Sequence, residues 1–199
     1  METVELKCAL RTTTGTGKAR NLRRQGYIPA TCYGRALEPI NLSLVSSELA
    51  AALSGAHGNN ALLELVVEGA PQPKYLVMLK DQQRHPLTRR IIHADFHVLE
   101  TERPVQVDVP LVLEGRSPGV AMGGKLRQVV RTVRVECLPE HIPARIVFDI
   151  SSMQLKERAL VNQIVPPEHV KLVYVKNYTI CDVSMARGVE NPAEGKEKV

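Results

Sequence analysis

Apolar and polar residues alternate along much of this chain, and the two-residue period predicts strands in the pleated, half-buried sense. Residues 3–11 (TVELKCALR) alternate in this way and predict a first strand. Thr12 to Gly17 is rich in Thr and Gly and reads as a loop, and Lys18 to Gln25 is a short basic helical turn stopped by Gly26. Residues 27–33 (YIPATCY) are apolar and extended, with Pro29 suggesting a place near a sheet edge. Residues 39–45 (PINLSLV) give another strand, and Ser46 or Ser47 reads as the N-cap of a helix that ends at Gly55. Two alternating runs, 61–67 and 74–80, flank a turn with Gly69 and Pro73, which is hairpin chemistry. Residues 81–90 (DQQRHPLTRR) are polar and Pro-interrupted, and 91–99 (IIHADFHVL) returns to alternation.

The segment 100–104 (ETERP) interrupts two β-like runs with charge and proline, so it reads as a linker. Beyond it, 105–113, 126–138 and 144–151 read as long strands, with a glycine-rich loop from Gly115 to Gly124. Residues 152–164 mix helical and strand signals, and 170–184 give two more strands around a Lys-Asn turn. The fold class that follows is mainly β: an N-terminal β domain over 1–99, a second β-rich C-terminal domain over 104–185, and a polar tail, 186–199, that reads as disordered. The composition agrees, because two Phe and no Trp leave the cores to Val, Leu and Ile.

Charge changes this picture by its position more than by its total of +5. Residues 1–36 hold seven cations (Lys7, Arg11, Lys18, Arg20, Arg23, Arg24, Arg35) against two acids (Glu2, Glu5), whereas fourteen cations meet thirteen acids from residue 98 onward. A surface for a polyanion is therefore expected at the front of the chain. Arginine dominates that segment, and its planar fork binds phosphate bidentately and stacks on bases. No apolar run approaches the roughly 20 residues of a membrane span, and the front of the chain lacks a signal-peptide pattern, so a cytoplasmic protein without membrane contact is expected. Cys8, Cys32, Cys137 and Cys181 are scattered without a C-x-x-C pair, as suits free buried thiols in a reducing compartment.

Enzymatic motifs fail on their own terms. Gly15-Thr16-Gly17-Lys18 suggests a phosphate loop, but Thr12 stands where such a loop needs its first glycine, and Ala19 follows the lysine where Ser or Thr would hold magnesium. A flexible Gly-Lys loop touching RNA phosphates needs only backbone N–H groups and charge. His93, Asp95 and His97 would share one strand face, which permits a metal, yet nothing else supplies an obvious further ligand. A hydrogen-bonded His93–Asp95 pair facing RNA is the expectation, with no metal, no cofactor, no catalytic residue and no small-molecule substrate. Duplex RNA presents phosphates, 2′-hydroxyls and a shallow minor groove, which suits a rigid sheet carrying Arg, His, Gln and Tyr.

Several ordered motifs carry a resemblance. They are Arg11, Gly15-Thr16-Gly17, Arg20-Asn21-Leu22-Arg23-Arg24, Gly26-Tyr27-Ile28-Pro29-Ala30 with Tyr33-Gly34, Asp81-Gln82-Gln83-Arg84-His85-Pro86, and His93-Ala94-Asp95-Phe96. Through them the chain resembles the family of bacterial large-subunit ribosomal protein twenty-five. Its second half is similar to the longer general-stress (CTC) form through Val107-Asp108-Val109-Pro110-Leu111, Gly115, Gly119, Gly123-Gly124, Leu138-Pro139, Ile142-Pro143 and Phe148-Asp149-Ile150. The resemblance implies a six-stranded barrel with short helices that binds the helical and loop E region of 5S rRNA and helps form the central protuberance beside neighbouring ribosomal proteins. Carried over residue by residue, it implies Arg11, Arg20 and Arg23 on phosphates with Tyr33 beside them, and Lys80, Arg84, His93 and Asp95 in the groove. Arg24 and His85, within the same motifs, complete the expected RNA-binding set. The family commonly has lysine where Thr16 stands, so Lys18 is expected to replace that contact, and Asn21 stands where many relatives have arginine. A second reading makes the near-neutral C-terminal half a module for binding a protein partner.

Overall fold

The computed structural model describes residues 3–35, 37–69 and 73–185. The expected tail at 186–199 lies outside the described residues. In β1 (Val4–Leu10) Leu6 and Cys8 are buried while Glu5 and Lys7 are exposed, the alternation the sequence predicts. β2 (Tyr27–Tyr33), β3 (Ile40–Val45), β4 (Leu62–Glu68), β5 (Lys74–Arg84) and β6 (Ile91–Val98) join it in a closed six-stranded barrel, ordered β1, β3, β2, β6, β5, β4. Two parallel pairings, β1 with β4 and β2 with β6, occur among otherwise antiparallel neighbours. Closure removes every edge and commits one side of each strand to the interior. That interior is mainly aliphatic, with Tyr75 and Phe96 as its aromatic rings: Ala30 lies opposite Ala94 in the register, and these small side chains share the core with the fully buried Phe96.

Three local expectations are corrected within the barrel. Pro29 is not at an edge but between two neighbours; its pairing with Ser43 on β3 is kept, and the β6 ladder begins only at Ala30, so the missing N–H falls where β6 offers no registered partner. The helix after β3, α2 (Ser46–Ala52), starts directly from the strand with Val45 at the cap position, and neither serine caps it with a side-chain hydrogen bond. Instead the Ser46 backbone N–H donates to the Gly26 carbonyl at 3.1 Å, while Leu49 and Ala52 join the barrel core. Finally, the basic turn forms a full helix, α1 (Thr16–Arg24), with Gly15 at its cap at φ 111°, so Lys18 sits in a helical first turn and not on a flexible loop. α1 buries none of its residues. Arg23 and Arg24 in its last turn suit the partial negative charge at a helix C-terminus, and Gly26 at φ 87° ends it.

The second half contains a four-stranded sheet ordered β10 (Ile146–Asp149), β7 (Val105–Glu114), β9 (Thr132–Cys137), β12 (Lys171–Leu172), and a three-stranded sheet ordered β11 (Arg158–Leu160), β13 (Thr179–Met185), β8 (Gly124–Gln128). The expected long strand over 126–138 is therefore two strands in different sheets, broken where Val129 and Val130 both donate to the Ile180 carbonyl. Likewise β12 and β13, on either side of the Lys-Asn turn, belong to different sheets. The glycine-rich loop holds one short helical turn, α3 (Pro118–Ala121), in which a Cβ on Gly119 would meet backbone atoms of Gln154 and Leu155 at 2.6 Å. Residues 152–164 supply β11 and a single 3₁₀ turn, Val161–Gln163. By their internal contacts the described residues form two compact units, one from residue 3 to 107 with 136–144 and the other 108–135 with 145–185.

Two predictions follow from the barrel interior. Phe96→Ala removes the ring around which the small Ala30 and Ala94 pair is arranged, and should lower unfolding free energy by about 3–5 kcal/mol in urea titration; a loss below about 1 kcal/mol would show that the core repacks freely. Burial pushes the Cys8 thiol up to about 12 and the Cys32 thiol up to about 11 from an ordinary value of 9.0. Above pH 9 the unfolded chain releases protons that the folded barrel retains. Stability is thus undiminished below pH 9 and falls above it, by about 1.4 kcal/mol per pH unit for each thiol until the folded value is passed. Urea midpoints of wild type and Cys8→Ala between pH 8 and 10.5 check this, and equal declines in both proteins would refute it.

Candidate nucleic-acid interface

The outward residues of β2, β6 and β5 form one continuous patch. Register sets Tyr33 beside His97 and Thr31 beside Asp95 from β2 to β6, then His97 beside Met78, Asp95 beside Asp81 and His93 beside Gln83 from β6 to β5. The ladder shifts between Leu79 and Asp81, so Lys80 is an extra residue on the β5 side. That bulge keeps the charged Asp81 facing out, where strict alternation from Val77 and Leu79 would turn it inward. His93, Asp95 and His97 do share a face, as their spacing predicts.

At the centre, His93 Nδ1 lies 3.3 Å from Asp95 Oδ1, with the two side chains 24% and 30% exposed. Tyr33 is half-buried and meets His97 edge-on, ring centres 5.9 Å apart at 83°. Burial above all, then the negative charges of Asp95 and Asp81, push the Tyr33 hydroxyl above its ordinary value, so it stays a hydrogen-bond donor at neutral pH. The patch centre is therefore hydroxyl, imidazole and carboxylate, and cations stand around it. Lys18, Arg20, Arg23 and Arg24 are exposed on α1 and Lys80 is exposed at the bulge. Arg84 is exposed at the end of β5, its Nε donating to Gln82 Oε1 at 3.3 Å.

Besides Arg84 and the His93–Asp95 pair, two more of the expected residues are held by protein groups. Arg23 donates Nε to the Ile92 carbonyl at 2.9 Å, which ties α1 to β6 beside His93 and fixes where the rest of the guanidinium points. His85 Nδ1 accepts from the backbone N–H groups of Leu87 and Thr88, both at 3.3 Å, and so organises the turn that follows. Arg11 follows β1, with its backbone N–H on the Asn41 carbonyl at 2.9 Å. Its Nε is buried without a protein acceptor among the described residues, an arrangement that calls for one from outside. None of Arg11, Lys18, Arg20, Arg23, Arg24, Lys80 or Arg84 makes an ion pair among the described residues, so their charge is directed outward.

Thr31, His97, Asp81 and Gln83 complete the patch although none is in the RNA-binding set that the sequence predicts. Alternation from Tyr33 and Asp95 was enough to find Thr31 and His97; Asp81 and Gln83 required knowing that β5 runs on to Arg84 and carries a bulge. Among the described residues no group of three or more His, Cys, Asp and Glu is placed to hold a metal ion. No helix among them is long and apolar enough to cross a membrane.

A closed barrel with a polar central patch and a cationic surround, followed by further β structure, defines a class of binding protein. Residues 6–96 match the Ribosomal L25p family, and residues 104–187 match the family described as Ribosomal protein TL5, C-terminal domain. The chain is 36% identical over 194 residues to large ribosomal subunit protein bL25 of Desulfatibacillum aliphaticivorans, covering 98% of this chain and 88% of the relative. It is 32% identical to bL25 of Syntrophus aciditrophicus over 198 residues, 99% and 98% of the two chains. For bL25 of Moorella thermoacetica the figures are 35% over 195 residues, 98% and 93%. The chain belongs to the bL25 family of ribosomal proteins, in its two-domain form, and the family is not one of enzymes.

Proposed function

We propose that this protein is a structural constituent of the large ribosomal subunit in the cytoplasm and that residues 1–99 bind 5S rRNA, in its helical and loop E region, as part of the central protuberance. Residues 104–185 are the second β-rich domain of the same constituent. The observation that carries this reading is the charge arrangement of the barrel face: half-buried Tyr33, His93 and Asp95 with exposed Asp81, framed by cations that make no ion pair among the described residues. Carboxylates repel phosphates, but they accept hydrogen bonds from base amino groups, as the guanine N2 amine exposed in a minor groove. Arginine and lysine around them supply the phosphate contacts that hold a duplex in register. The centre thus suits base edges and 2′-hydroxyls in the shallow RNA minor groove, and the surround suits the two flanking backbones.

Gel-shift titration at two salt concentrations tests this. Wild-type protein should bind 5S rRNA well above an unrelated duplex of equal length, with affinity falling as salt rises. Arg20→Glu/Arg23→Glu should weaken binding by about a hundred-fold, roughly one factor of ten for each reversed charge. Equal binding of the two RNAs by wild type would refute the 5S assignment, and unchanged affinity in the double variant would put the RNA on another face.

A further inference from the structure

Beyond the patch, the barrel carries a second basic feature. A groove of about 760 Å³ opens between the end of α1, the start of α2 and the turn joining β5 to β6. Arg23, Arg84, Arg89 and Arg90 line it together with Ser46 and Ser47, and no Asp or Glu is among its lining residues. None of the four arginines forms an ion pair among the described residues. Four arginines around one groove with no carboxylate among its lining residues give it a positive field, an arrangement that an external anion relieves.

The turn that presents two of them is built, not slack. The His85 N–H donates to the Arg90 carbonyl at 2.8 Å, and the Arg89 N–H donates to the His85 carbonyl at 2.9 Å. Inside this loop the His85 ring accepts from Leu87 and Thr88. Arg89 itself takes φ 58°, a left-handed conformation that is strained for a non-glycine residue and is sustained by these surrounding bonds. Leu87, at the tip, is 86% exposed.

We infer that this groove is a phosphodiester-binding site for the backbone of a bound RNA duplex, using Arg89 and Arg90 in addition to Arg23 and Arg84. The inference rests on the RNA-binding reading above and deepens it. RNA is favoured over an acidic protein segment because the groove is continuous with the patch: Ile92 lines the groove and takes the Arg23 hydrogen bond, and its neighbour His93 stands on the patch. A duplex whose minor groove rests on Tyr33, His93 and Asp95 runs one backbone past the start of β6. Guanidinium forks and serine hydroxyls are donors for phosphate oxygens without regard to sequence. The patch therefore discriminates between RNAs, and the groove holds whichever duplex is present.

The test measures the salt dependence of binding by the full chain on two RNAs, 5S rRNA and an unrelated duplex of equal length. Arg89→Gln/Arg90→Gln should reduce the slope of log affinity against log salt by about 2 on both RNAs, at roughly one unit per lost phosphate contact. A Lys7→Gln/Lys125→Gln control removes the same charge from exposed positions elsewhere and should leave the slope within about 0.5 of wild type. Thermal melting of both variants checks that the fold is intact. An unchanged slope in the arginine variant, or an equal reduction in the control, would overturn the groove assignment. The 5S assignment fails separately, when wild type binds both RNAs alike while the arginine variant still loses slope. Binding of neither RNA by wild type overturns both.

Discussion

Parallel pairing of β1 with β4 closes the N-terminal sheet, and the position of every outward side chain depends on that closure. Once the sheet is a barrel, the inward side of each strand is committed to a core whose volume is fixed by Phe96 and the two alanines beside it. A one-residue slip would exchange buried for exposed along a whole strand, so register is strongly enforced. Tyr33, Thr31, His93, Asp95 and His97 inherit that rigidity. They sit on strands and not on loops, which fixes their spacing before any partner arrives and lowers the ordering cost of binding.

Charge on this surface is divided between two jobs. Asp95 and Asp81 stand opposite one another across β6 and β5, and like charges so placed cost stability. Two neighbours offset part of this: Lys80 brings its positive charge to the bulge, and His93 Nδ1 lies 3.3 Å from Asp95 Oδ1. The acids punctuate a surface that would otherwise attract any polyanion. In the proposed reading they reject a phosphate at the centre and admit an amine, so affinity comes from the surround and selectivity from the middle.

Much of the barrel was readable in the chain because its strands alternate cleanly and Gly26 stops its first helix. The failures share one cause, which is that local pattern does not report what neighbouring strands supply. Pro29 looked like an edge residue because the delayed start of the β6 ladder is a tertiary fact. Ser46 looked like a helix cap because the Gly26 carbonyl, twenty residues earlier, was not visible as its backbone partner. β5 appeared to stop at Lys80 because 81–84 are polar, although each still has a registered partner on β6. In the second half, 126–138 looked like one strand because its apolar content hides the break at 129–131. Arg20 and its neighbours on α1 were legible as a charged stretch, whereas the meeting of Arg89 and Arg90 with Arg23 required the fold.

The irregularity at Lys80 has a consequence for how this strand tolerates change in length. Leu79 pairs with Phe96 and Asp81 with Asp95, so the lysine is surplus to the ladder. Excising it would join Leu79 directly to Asp81 with both partners kept, and no residue on either side would need to turn over. The same excision one turn of the pleat earlier, at Val77, would reverse every side chain up to the hairpin. The strand therefore has one position at which its residue count can vary without turning any neighbour over, and what excision would remove is the lysine's own charge at the rim of the surface that would meet the RNA.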